Sequence, residues 1–184
     1  AAAPALAAAL AKGSAERRAA AGFALATCGT RDSIAPLLEA LSGANPTVAQ
    51  TAHIALENLT GHTPPFDAFS SPHNRKAQAE AWREWFESTN WEAIERDLVS
   101  RLADPDRDVV RRAAVALGRV GGDAAKAALR ETLRRLRDDN PLPQWRQAGY
   151  VGDNARFNSL APVNPRTVQA VARALGYLQD AEAV

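Results

Sequence analysis

The sequence predicts an all-α fold: a right-handed α-solenoid, a superhelix of antiparallel helix pairs, with two irregular insertions. Three observations predict it: a leucine spacing that repeats, a stripe of small residues in register with it, and turn signals where the count requires turns. Leu10–Leu25, Leu41–Leu56 and Leu102–Leu117 are each 15 residues apart, while Leu10–Leu41, Leu25–Leu56 and Leu102–Leu133 are 31 apart. A constant inner step inside a constant period marks a stacked unit that cannot bury its apolar face alone.

The second leucine of each pair anchors the stripe. Before it stand Ala24, Ala55, Ala116 and, in the last unit, Ala174 ahead of Leu175. Four before it stand Ala21, Ala52, Ala113 and Val171; three after it stand Cys28, Leu59, Val120 and Leu178. Steps of three and four stay on one helical face, so small residues let neighbouring helices approach. Cys28 falls on this stripe and reads as a core residue rather than a reactive thiol.

The turns follow the same count. Asn45-Pro46, Asp104-Pro105 and Asn164-Pro165 open second helices, with proline placed early, where its missing N–H is harmless. Gly29, Gly61 and Gly121-Gly122 follow second helices as C-caps. The opening AAAPALAAALA has the small residues of a secretory leader but no basic start, and the register makes it the first helix.

At this point the stretch LVSRLADPDRDVVRRAAVALGRVGGDAAKAAL, from Leu98 to Leu129, resembles a HEAT-like repeat of the phycobilisome-lyase type. The resemblance covers roughly 1–60, 91–137 and 164–184, and it implies a fold far more specifically than a function. It sets the expected organisation as one HEAT-like domain over 1–184. Its repeats are expected at about 4–30, 33–61, 62–90, 91–122 and 123–179.

The third of these is degenerate. Leu56 to Leu117 is 61 residues, close to two periods, and the count puts Phe86 where a second-helix leucine belongs. Trp82 and Trp85 then take the small-residue positions. The matching first helix is replaced by GHTPPFDAFSSPHNR, too rich in Pro and Ser for regular helix. The expectation is that Trp82, Trp85 and Phe86 fill the vacated space, with Phe66 and Phe69 laid over them. The competing reading makes the Trp82/Trp85 cluster an exposed site. Leu-Thr-Gly followed by a W-x-x-W-F helix is also similar to an insertion in bacterial HEAT-like proteins.

The second break lies in the last unit, where Leu133 to Leu175 is 42 residues. The surplus, 138–164, has no helical period but contains Trp145, Arg146, Tyr150, Arg156 and Phe157. Loops of this length inside a domain are usually functional or disordered, and the aromatics argue against plain disorder. The first break begins between units and the second lies within one, so they are expected on opposite rims.

Composition narrows the function. A net charge of +1 asks for neither nucleic acid nor acidic lipid. A single cysteine excludes an internal disulfide or thiolate metal cluster, and no apolar run is long enough for membrane insertion. The lack of methionine predicts a processed chain or part of a longer one.

Chemistry-bearing motifs are scarce. His53 lies beside the alanine stripe and reads as structural, while His62 and His73 lack metal-ligand spacing. The di-iron hydroxylases built on HEAT repeats need His-Glu pairs that this sequence does not contain. Asp138, Asp139 and Asp153 have no spacing that demands a cation. No phosphate loop, nucleophile elbow or paired-carboxylate motif appears, so no catalytic residue, metal or cofactor is expected.

The expected function is a non-catalytic scaffold binding a macromolecular partner, another protein, on its concave face and insertion loop. The residues expected to carry it are Trp145, Arg146, Tyr150, Arg156 and Phe157, with Arg112 and Arg119 from a second helix. Such side chains combine buried area with directional polar groups. Two alternatives stand beside it. Resemblance to the lyases implies chromophore attachment or a chaperone role, in an apolar groove. Resemblance to HEAT-like alkylpurine DNA glycosylases implies DNA in a basic groove, against which 21 acidic residues weigh.

Overall fold

The computed structural model describes residues 2–138 and 165–179, with the backbone alone for Arg137 and Asp138. Among these residues all regular structure is helical, as expected. The helices are α1 (Ala3–Ala11), α2 (Ala15–Cys28), α3 (Ile34–Leu41), α4 (Pro46–Thr60), α5 (Pro72–Ser88), α6 (Trp91–Arg101), α7 (Arg107–Val120), α8 (Asp123–Asp138) and α9 (Pro165–Tyr177). By compactness the chain divides into 1–98 and 99–184.

In the first unit, α1 packs on α2 and α3 on α4, while α2 lies along α4 and α1 along α3. The repeat is thus a first helix and a second helix, each layered on its counterpart one period on. Leu10, Leu25, Leu41 and Leu56 are all fully buried, as are Ala21, Ala52 and Ala55. Gly22 faces Thr51, whose hydroxyl leaves no room for a Cβ. Farther along, the Asn58 side-chain amide donates to the Ala26 carbonyl at 3.4 Å. Both pairings advance in the same direction, so α2 and α4 are parallel. Cys28 is only half-buried, its thiol donating to the Ala24 carbonyl at 3.2 Å; it lies on the stripe but at the margin of the core.

Caps set the boundaries. Asn45 accepts the Val48 N–H at 3.1 Å with Pro46 beside it, satisfying one of the orphan donors of a helix start. Gly61 ends α4 at φ 69°, a left-handed conformation that favours glycine. Gly29 and Gly121 also close their helices, donating to Leu25 and Leu117 at 2.8 Å. The α7 cap is not Asp104-Pro105 but Asp106, which accepts the Asp108 N–H. Asp104 accepts the Asp106 N–H instead, so the Asp-Pro pair shapes the approach and the helix starts a step later.

Residues 61–71 form no regular helix, and α5 begins at Pro72 with Ser71 as its cap. The helix therefore takes up the Pro-His-Asn-Arg segment assigned to the irregular stretch, because proline suits a first turn. Within α5, Arg75 is buried and donates to three backbone carbonyls: Ala68 at 3.1 Å, Ser70 at 3.2 Å and Ala44 at 3.4 Å. Gln78 accepts the Asp67 N–H at 2.8 Å. These bonds hold the irregular segment to α5 and α5 to the end of α3. Correspondingly α5 packs on α3, a first helix, although the count gave Phe86 a second-helix position.

In the second unit, α9 packs on both α7 and α8. Thr167 near the start of α9 donates to the Arg107 carbonyl at 3.2 Å, and Arg119 near the end of α7 stacks on Tyr177. These two second helices are therefore parallel as well. Leu102, Leu117 and Leu175 are buried, but Leu133 is only half-buried, and Leu129, Thr132 and Leu136 hold the core face of α8. Arg135 donates to the Leu102 carbonyl. The Asn58–Ala26, Arg75–Ala44 and Arg135–Leu102 bonds span 32, 31 and 33 residues, about one repeat each.

Candidate functional site

Two regions concentrate the distinctive side chains. The first is a chain of rings in the first unit. Trp82 is 1% exposed at its centre, with His53, His62 and Trp85 standing edge-on to it at 5.2–5.7 Å. Phe66 stacks on His53 at 4.7 Å, and Trp85 stacks on His62 at 3.8 Å. Phe86 links Trp85 to Trp91, and the Arg31 guanidinium lies 4.9 Å over the Trp91 ring.

Trp82 is packed in the core, whereas Trp85, Phe86 and Trp91 are half-buried. Trp82 sits where other repeats carry a small residue, and the room comes from the irregular 61–71 segment, whose His62 and Phe66 close over it. Phe69 does not join them; it is 70% exposed. Its N–H is held by the Asp67 carboxylate at 2.9 Å, which fixes the turn and directs the ring outward.

His53 is buried, with Nδ1 at 3.7 Å from a Glu57 carboxylate oxygen. Burial pushes its pKa below the ordinary value of 6.5, a shift partly opposed by the Pro64 backbone carbonyl. Nε2 of His53 and Nε1 of Trp82 make no hydrogen bond among the described residues. A neutral histidine among rings suits a core position and offers no exposed base.

The second set of distinctive side chains lies, in each unit by itself, on the outer faces of the second helices. Two residues before the anchoring leucine stand Phe23 on α2, Ile54 on α4, Val115 on α7 and Arg173 on α9. Two after it stand Thr27, Asn58, Arg119 and Tyr177. These register positions point away from the buried stripe. Phe23 is 62% exposed, Tyr177 55% and Val115 38%, so large apolar side chains recur there in solvent.

The two units differ in chemistry on this face. In the first, α2 and α4 present Ala20, Phe23, Thr27, Thr47, Ile54 and Asn58, which are apolar or neutral, with Glu16 as the charged residue at the same register. In the second, α7 and α9 together carry six arginines (Arg107, Arg111, Arg112, Arg119, Arg166, Arg173) and one carboxylate, Asp108. That carboxylate pairs with Arg111 at 3.2 Å. Arg112, Arg166 and Arg173 are exposed. Arg119 is half-buried, its guanidinium carbon 3.7 Å from the Tyr177 ring centroid and its Nε buried without a partner among the described residues.

Arg112 and Arg119 thus lie two turns apart on one face of α7, with Val115 between them. Trp145, Arg146, Tyr150, Arg156 and Phe157 lie outside the described residues, as do Asp139 and Asp153. The expectation about opposite rims falls there too. Phe23, Ile54, Val115, Arg173 and Tyr177 went unnoticed in the sequence, although the same count that found the buried stripe places them two residues to either side of its leucine. Among the described residues no group of His, Cys, Asp and Glu is arranged to hold a metal ion. No helix there is long and apolar enough to cross a membrane.

Comparison with protein families finds one match: residues 17–43 fit the PBS lyase HEAT-like repeat. The matched segment runs from the first turn of α2 through the 3-10 turn Arg31–Ser33 and α3 to Gly43. No curated protein matches the chain.

Proposed function

We propose that this chain, whose residues 17–43 fit a HEAT-like repeat, is a non-catalytic scaffold that holds another protein against the outer faces of its second helices. The observation that carries this reading is made in each unit by itself: Phe23 in the first, and Val115 and Tyr177 in the second, stand two residues to either side of a buried leucine and are more than a third exposed. Isolated exposed apolar side chains are ordinary; their recurrence on the outward side of second helices fits a contact surface. Tyrosine and arginine, which carry much of the binding energy of protein interfaces, stand beside them at Arg112, Arg119 and Tyr177. Trp145, Arg146, Tyr150, Arg156 and Phe157 of the 138–164 segment belong to the same proposal.

The test is photo-crosslinking in the source cells, with a benzophenone amino acid placed singly at Phe23, Ile54, Val115 and Tyr177. Controls carry it at Glu39 on α3 and Glu131 on α8, both first helices. Protein adducts from the second-helix positions and none from the controls support the scaffold. Equal labelling from both sets, or none from the second-helix positions, defeats it.

A further inference from the structure

The whole chain is nearly neutral, but the outer face of α7 and α9 is not. Four arginines, Arg112, Arg119, Arg166 and Arg173, stand on this face of the two parallel helices against the single Asp108, while the full sequence nets +1. Asp108 is already engaged by Arg111, so neither helix has a carboxylate left for Arg112, Arg119, Arg166 or Arg173. We propose that the α7/α9 face is a docking site for an acidic segment of a partner protein, with an apolar side chain of that segment seated between the arginines. This rests on the scaffold reading and adds the chemistry of the partner.

Geometry supports both halves. Arg112 and Arg119 are seven residues apart, as are Arg166 and Arg173, which separates each pair by about 10 Å along its helix. Because α7 and α9 run in the same direction, the two pairs form the corners of a slanted patch about 10 Å on a side, in which Tyr177 rather than Arg173 is level with Arg119. Val115 lies between the first pair. Tyr177 lies one turn beyond Arg173, its ring covered on one side by Arg119 at 3.7 Å. That stacking holds a guanidinium in place before any ligand arrives, so less side-chain freedom is lost when a carboxylate binds it in the two-pronged manner.

A nucleic acid is the weaker fit. Strong duplex binding takes on the order of 6–10 phosphate contacts, and this patch offers four arginines around an apolar centre.

The experiment uses the full chain and a fluorescein-labelled peptide of about twelve residues, Asp and Glu with one central Phe. A matched Asn/Gln peptide and single-stranded and duplex oligonucleotides of equal charge serve as comparisons. Expected results are binding of the acidic peptide, little of the neutral one, and weaker binding of the oligonucleotides. The double variant Arg112→Gln/Arg173→Gln should lose at least about tenfold in affinity, and Arg112→Lys/Arg173→Lys less. Arg96→Gln on α6, outside the patch, should change nothing. Circular dichroism reports whether each variant keeps its helices.

Absence of peptide binding at low salt overturns the proposal, as does binding indifferent to the double variant. Tighter oligonucleotide binding that the double variant abolishes also overturns it and assigns the face to nucleic acid. If Val115 and Tyr177 crosslink a protein while the acidic peptide does not bind, the scaffold stands and the acidic segment falls. If no second-helix position crosslinks, the scaffold falls first.

Discussion

Gly118 of α7 sits against Ala174 of α9 so closely that a Cβ at position 118 would lie 2.7 Å from the Ala174 Cα and 2.9 Å from its Cβ. Two helix backbones meet there, with no flexible side chain to move aside. Gly118→Ala should therefore destabilise the protein by about 1–2 kcal/mol. Overpacking costs about 1–3 kcal/mol, and alanine's better helix propensity returns up to about 1. Ala174→Gly on top of it should restore only part of the loss, since the α9 backbone would still crowd the added methyl. Gly176 has nothing within 4 Å of its Cβ position, so Gly176→Ala should raise stability by about 0.5 kcal/mol. Urea unfolding of the three variants reads all of these, and a stabilised Gly118→Ala protein would disprove the close approach.

Trp82 and Phe69 lie in the same interrupted repeat and should respond in opposite ways. Trp82 is 1% exposed and touches three other rings. Trp82→Ala should remove about 3–5 kcal/mol by transfer loss plus cavity. Phe69 is 70% exposed, and Phe69→Ala should stay within about 0.5 kcal/mol. Thermal melts separate these outcomes; comparable losses at both sites would mean that Phe69 packs over the cluster after all.

That contrast shows what periodicity can and cannot read. The count of 31 found the buried leucines and the alanine stripe, because helix register alone decides which face is inside. It also found the space that Trp82 fills, as a small-residue position occupied by a large ring beside a missing helix. It could not place Phe69, whose direction depends on the Asp67 turn rather than on any period. Nor could it place α5, whose packing on α3 follows from the bonds between Arg75 and the carbonyls of Ala68, Ser70 and Ala44. Phe23, Val115 and Tyr177 each stand two residues from a leucine that the count had found. Arg119 stacking on Tyr177 was not readable, since it joins residues 58 apart across the 138–164 interruption.

Arg75 is the tie that makes the interrupted repeat possible, and its removal should show that. Three backbone carbonyls accept from its guanidinium in a buried position. Arg75→Met keeps the apolar stem but leaves those acceptors without their donor, at a loss of about 2–3 kcal/mol. Arg75→Lys should recover less than half of it, because one ammonium cannot span three carbonyls in the geometry of a planar fork. Hydrogen exchange supplies the local readout: the amides of 66–70, including Asp67 and Phe69, should lose protection before those of α1 and α2. Uniform loss across the first unit would argue for a general destabilisation instead.

His53 gives the pH dependence. Its folded-state pKa lies below the ordinary 6.5 because burial disfavours the imidazolium, with the Pro64 carbonyl partly opposing. An unfolded His53 takes up its proton as pH falls through about 6.5, whereas the folded one, among Phe66 and Trp82 with Glu57 at 3.7 Å, takes it up only at lower pH. The unfolded state then binds more protons, so stability must decline as pH drops below about 6.5 and level off beneath the folded pKa. Above that window the residue contributes no pH dependence. His53→Gln removes the titration, and its urea midpoint should fall less than the parent's between pH 7.5 and 5. Tryptophan fluorescence follows the transition where it matters, since Trp82 lies against the imidazole. A parent protein more stable at pH 5 than at pH 7.5, with the difference abolished in His53→Gln, would mean that the Glu57 carboxylate outweighs burial and raises the pKa.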